Sequence, residues 1–190
     1  MRERENDMSL TIDNYNEEGG GDFKDIEAGT HAARIIGVFD AGWQKGFSEE
    51  DKPKHSCVLV YEVDEKTDDG KFRLTISEPY TATLRSDKAK LRGPVQAAFP
   101  KLTEAQKTSF ELSTLIGKGV LITVAQKPSG KMKVSQVAPL PKGMEAHEGW
   151  EECTEVFGLA KWMQEHQLTN EEAEELRKRA VVAASDDIPF

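Results

Sequence analysis

From Phe23 to Pro141 the chain alternates short apolar runs with polar turns, a period-two pattern that predicts strands. The first run, His31 to Trp43, is rich in Ile, Val and Phe, and Gly37 interrupts its alternation where a bulge would bend the strand. A polar loop from Gln44 to His55 carries three acidic and three basic residues. The second strand, Cys57-Val-Leu-Val-Tyr-Glu-Val63, is apolar on both faces, so one face belongs in a core and the other under something else, a ligand included. Lys66-Thr-Asp-Asp-Gly-Lys71 is a hairpin signal, because Asp69-Gly70 suits a tight turn with positive φ. In the third strand Phe72, Leu74 and Ile76 face one way, toward a core, and Arg73, Thr75 and Ser77 the other; the strand extends past Pro79 toward Arg85.

A helical stretch begins near Ser86-Asp87 and breaks around Gly93-Pro94. Thr103 and Gln106 have the spacing of a capping box for a second helical segment. Gly117-Lys-Gly119 leads into a fourth strand, Val120 to Gln126, and the turn Lys127-Pro-Ser-Gly-Lys131 leads into a fifth, Lys131 to Val137. Five strands with a helical insertion between the third and fourth give a mainly β domain in the element order of an OB-fold barrel, an order that other small barrels share. Four sections follow: an acidic, disordered segment 1–22, the barrel domain 23–141, an acidic helical arm 142–181 and a flexible tail 182–190. Within the arm, Val156, Leu159, Ala160 and Met163 recur at helical spacing between Glu152 and Gln164, and Thr169 with Glu172 caps a second helix. That apolar stripe can pack on the barrel or pair with another subunit, and the sequence leaves both open.

Charge sharpens this division. The net charge of −9 is unevenly spread. Residues 1–22 hold 2 basic and 7 acidic side chains, and residues 145–190 hold 4 basic and 12 acidic. Residues 71–133 hold 12 basic against 4 acidic. A basic centre between acidic arms suits a phosphate backbone better than the whole-chain charge implies. No apolar run is long enough to cross a bilayer and no stretch near Met1 has a signal-peptide centre, so the expected compartment is the cytoplasm. Cys57 and Cys153 form no CxxC pair and read as reduced thiols; the four histidines show no ligand spacing with them, so neither metal nor cofactor is expected. The chain has no GxxxxGK[ST], GxSxG or HExxH motif, and Asp64, Glu65, Asp68 and Asp69 cluster at a hairpin, where they read as turn residues. An enzyme is therefore not the expectation.

A protein that holds single strands without reading sequence needs aromatic faces for bases and cations for phosphates; each stacked base is worth about 1–3 kcal/mol. The aromatic candidates are Trp43, Phe47, Tyr61 and Tyr80, of which the two tyrosines are as readily core residues. The cation candidates are Lys45, Lys52, Lys54, Arg73, Arg85, Lys88, Lys90 and Arg92, with Arg73 favoured because its strand sends the apolar side chains to the opposite face. Lys71, Lys127 and Lys131 flank the two hairpins and could clamp a strand between them.

Two resemblances give this pattern a context. Asp186-Asp187-Ile188-Pro189-Phe190 resembles the acidic tip through which bacterial single-stranded DNA-binding proteins recruit replication and repair partners. In it Phe190 can fill an apolar hole, the acidic residues can meet basic groups, and Pro189 lowers the entropy lost on docking. Gly29-Thr30, Ala33-Arg34-Ile35-Ile36-Gly37, Gln44-Lys45-Gly46, Val60-Tyr61-Glu62, Tyr80 and Leu115-Ile-Gly-Lys118 resemble a family of small bacteriophage single-stranded DNA-binding proteins with OB-folds, over roughly residues 23–140. The acidic helical arm matches neither group, and no similarity to the bacterial core domain supports a tetramer. The resemblances imply a sequence-independent single-stranded DNA-binding protein of replication, recombination and repair, acting in a bacterial host cell and recruiting host or phage proteins through its tip. The alternatives are a protein-interaction adaptor with the same tail and a strand-annealing recombination mediator.

Overall fold

The computed structural model describes residues 26–45, 52–154 and 165–186, with side chains through 178. Segment 1–22, Phe47, most of the helix expected over 152–164 and the tip from 187 onward lie outside the described residues.

The chain forms β1 (Gly29–Gln44), β2 (Lys54–Lys66), β3 (Phe72–Ile76) and the short β4 (Tyr80–Thr81). Next come α1 (Arg92–Ala98), α2 (Glu104–Lys107) and a 3-10 turn (Leu112–Leu115). β5 (Gly119–Gln126), β6 (Met132–Ala138), β7 (Gln167–Leu168) and α3 (Asn170–Asp186) complete it. The fold is mainly β: one antiparallel seven-stranded sheet in the order β3-β2-β1-β5-β6, with β4 also beside β2 and β7 beside β1.

β1 is the spine of this sheet. Its first residues, Gly29 to Arg34, pair with β5, while Ala33 to Gln44 pair with β2. The register slips between Ile35 and Gly37 and again between Asp40 and Gly42. The bulge expected at Gly37 is therefore present, and packing explains the glycine. A Cβ there would lie 2.8 Å from the Phe39 ring and 3.0 Å from the Cys153 carbonyl oxygen. The Ile36 carbonyl accepts the Cys153 N–H at 2.8 Å, so the chain beyond the sheet crosses back over β1 at this point.

Ala33, Ile35, Leu59, Tyr61, Val63, Leu91, Val95, Leu115, Val120 and Ile122 fill the core. The other face of the β1–β2 pair is closed as well, since Ile36, Ala41, Val58 and Val60 are buried outside that cluster. The cover that β2 demanded is thus the protein's own. This second layer reverses the face expected for β3. Thr75 stands opposite Tyr61 and Arg73 opposite Val63, so both share the core-side face. Leu74 and Ile76 stand opposite Glu62 and Val60 on the outer one. Alternation fixed the period of β3, but with an apolar layer on each side of β2 it could not fix the face.

The helix expected from Ser86-Asp87 does not form there: α1 starts at Arg92, so Gly93-Pro94 lies in its first turn instead of breaking it. Pro94 is the third residue of the helix, where the backbone N–H has no intrahelical partner to lose. Both capping boxes are formed. The Thr103 hydroxyl accepts the Gln106 N–H at 3.4 Å while Gln106 Oε1 accepts the Thr103 N–H at 2.9 Å. Thr169 and Glu172 do the same at 3.2 and 2.8 Å, starting α3. Among the described residues no helix is long and apolar enough to cross a membrane.

Candidate nucleic-acid interface

The end of β1 carries Trp43, half-buried and opposite His55 on β2, with ring centroids 5.2 Å apart. His55 is held from two sides: its Nε2 lies 3.1 Å from Asp40 Oδ1, and its carbonyl accepts the Ala82 N–H at 2.7 Å. β1, β2 and the chain just past β4 therefore run side by side here. Lys45 and Lys54 are exposed at one side of this strip, and Arg85 and Lys88 are exposed on the segment that leaves it. That segment is shaped by local bonds from the Arg85 N–H to the Thr83 hydroxyl (3.3 Å) and from the Lys88 N–H to the Ser86 hydroxyl (3.2 Å).

The acidic arm returns to the same strip. Leu168 of β7 pairs with Trp43, Gln167 pairs with Gln44, and the Arg177 guanidinium sits 4.0 Å from the centroid of the Trp43 ring. The apolar stripe Val156, Leu159, Ala160 and Met163, for which the sequence leaves two packings open, lies outside the described residues.

Four expected site residues serve the fold instead. Tyr61 is fully buried and offers no ring face; burial, and then the neighbouring Tyr80, push its hydroxyl pKa well up. Tyr80 is half-buried against the same core, opposite Cys57, and burial raises its pKa too. Burial, with Asp40 adding to it, pushes the Cys57 thiol up to about 12. Arg73, only 13% exposed, pairs with Glu65 at 3.0 Å on the face it shares with Val63. Arg92 is buried: it donates to the Leu84 carbonyl at 3.2 Å and pairs with Asp87 at 2.9 Å and Glu104 at 2.8 Å. A buried guanidinium must be neutralised where it lies, so Arg92 braces the helical segment against Asp87 and Glu104.

Two arrangements went unread in the sequence. Arg34 clamps the chain beyond the sheet, donating to the carbonyls of Gly117 (2.6 Å), Ala146 (3.0 Å) and His147 (2.7 Å). His147 there stacks on Phe72 (centroids 3.9 Å) and lies 2.5 Å from Glu62. Elsewhere Lys127, at the β5–β6 hairpin, pairs at 2.8 Å with Glu78, just past β3. Its hydrogen bond, aided by the charges of Lys127, Lys133 and Lys90, holds the Glu78 carboxyl below the usual carboxylate range. The sequence offered a signal for Lys127, its turn, but none for Glu78.

Among the described residues no group of three or more His, Cys, Asp and Glu side chains could hold a metal ion. Compared with protein-family models and with curated proteins, the chain matches none.

Proposed function

We propose that this chain is a non-catalytic, sequence-independent single-stranded DNA-binding protein, built on an OB-fold barrel and of the bacteriophage type it resembles. The observation that carries the reading is the strand order β3-β2-β1-β5-β6. It is the order of an OB-fold, with β5 and β6 as fourth and fifth strands and the helical segment between third and fourth. The Lys127–Glu78 pair supports closure, since it links the β5–β6 hairpin to the chain just past β3, at the two outer edges of the sheet.

The proposed interface is Trp43 with Lys45, Lys54, Arg85 and Lys88. Arg177 covers Trp43 in the free chain, yet an exposed cation–π contact is worth only about 0.5–1 kcal/mol. A stacked base is worth about 1–3 kcal/mol, so a strand can displace it. Phe47 and the recruiting tip remain parts of the proposal that rest on sequence.

Titrating the protein with oligo-dT and with a matched duplex, at two salt concentrations, tests the reading. Single strand alone should quench tryptophan emission, with affinity falling as salt rises, and Trp43→Ala should weaken binding by about five- to 150-fold. Absence of binding at low salt, even without residues 182–190, would overturn it. A second reading, an adaptor whose Trp43 face serves only to dock its own arm, is favoured by the Arg177 contact and would be left standing.

A further inference from the structure

We infer that Glu78 occupies a phosphodiester seat at Lys127, and that it limits how tightly this surface takes up a single strand. The inference rests on the single-strand reading and names a part of the interface that lies away from Trp43.

The basic section 71–133 holds four acidic side chains. Three of them have local duties. Asp87 and Glu104 neutralise the buried Arg92, and Glu104 also pairs at 2.6 Å with Lys107, whose side chain is 5% exposed. Glu111 accepts a hydrogen bond from the Ser113 hydroxyl at 2.8 Å. Glu78 differs. Its partner Lys127 is itself accessible, at 36% exposure against 44% for the carboxylate, and two more lysines share its field. Structure does not need it to compensate a buried charge.

The backbone beside Glu78 is fixed. Ser77 donates its N–H to the Leu59 carbonyl at 2.9 Å, and its hydroxyl accepts the Leu59 N–H at 3.0 Å. A carboxylate on that rigid mount presents anionic oxygen to the Lys127 ammonium, which is what a phosphodiester would present. Exposed ion pairs contribute little to stability, so a strand passing the hairpin can take the place of the carboxylate at small cost. What it gains there is reduced by the charge that remains, because Glu78 stays among the lysines as a competitor.

The test uses the full chain and labelled oligo-dT over a salt series. Glu78→Gln should bind about three- to tenfold more tightly at low salt, and its log–log salt slope should steepen by about 0.7, the value for one more neutralised phosphate on a single strand. Glu111→Gln, which removes the same charge elsewhere in the section, should gain much less. In a Lys127→Gln background the Glu78→Gln gain should shrink. Unchanged affinity and slope for Glu78→Gln in a protein that does bind, or equal gains for Glu78→Gln and Glu111→Gln, would overturn the inference and leave the single-strand reading intact. A parent chain that does not bind oligo-dT would overturn both.

Discussion

Two arginines of this molecule lie over tryptophans, and they do different work. Arg34, in the middle of β1, has its guanidinium 5.6 Å from the Trp150 ring centroid. It also donates to three backbone carbonyls, those of Gly117, Ala146 and His147. Arg177, on the exposed surface of α3, comes nearer its ring, 4.0 Å from Trp43. By ring distance alone Arg177 would be the stronger anchor. The carbonyls reverse that order, because each charge-assisted hydrogen bond in a partly dry site contributes about 1.5–3 kcal/mol, more than an exposed cation–π contact. A fixed set of acceptors turns the first contact into a clamp, while the second can exchange.

Removing Arg34 should have the largest effect. Arg34→Ala strands three carbonyls and frees the chain around Trp150, and should lower the unfolding free energy by about 2–4 kcal/mol in urea titrations. Arg34→Lys should recover only part of it, since an ammonium cannot reach three acceptors as a planar fork does. A loss below about 1 kcal/mol would mean that the clamp is ornamental. The next largest effect belongs to Gly117, which has φ +84 and whose Cβ would lie 2.8 Å from the Trp150 ring. Gly117→Ala should cost about 1–3 kcal/mol through backbone strain and displacement of that indole, seen as a lower unfolding midpoint. Arg177→Ala should be the mildest, changing stability by less than about 1 kcal/mol. Acrylamide should nevertheless quench Trp43 more readily in that variant, read against a Trp43→Phe control. Unchanged quenching would place Arg177 away from the indole in solution.

Much of the local architecture was legible because its causes lie within a few residues. Gly37 marked a bulge, Asp69-Gly70 marked a turn in which Gly70 has φ +81, and Thr103 and Thr169 each announced a capped helix. The site was harder to read, because which cations are free depends on distant partners. Arg92 follows Lys88 and Lys90 in a run that looks like a phosphate-binding edge, and its pairs with Asp87 and with Glu104, folded back against it, show that it is committed. Alternation alone puts Phe72, Leu74 and Ile76 on the core face and Arg73 outward; the second apolar layer over Val58 and Val60 makes theirs the outer face instead. Arg34 meets His147 across 113 positions, and no local pattern encodes that. Glu78, just past β3, and Lys127, at the β5–β6 hairpin, are likewise far apart in the chain, and no local pattern encodes their pairing.

The length of β1 has a consequence for how the protein is made. β1 can pair with β2 as soon as both have left the ribosome, but β5 begins only at Gly119 and β7 only at Gln167. At 5–20 residues per second, β5 follows the end of β1 by roughly 4–15 seconds. For that interval one edge of a long apolar strand is unpaired, a template on which two nascent chains could join. The bulges at Gly37 and Gly42 break that edge into short pieces, and the chain that later closes it arrives in order: β5 on the first piece, Cys153 at the bulge, β7 on the last. The same irregularities that shape the finished sheet would then keep the unfinished one from aggregating.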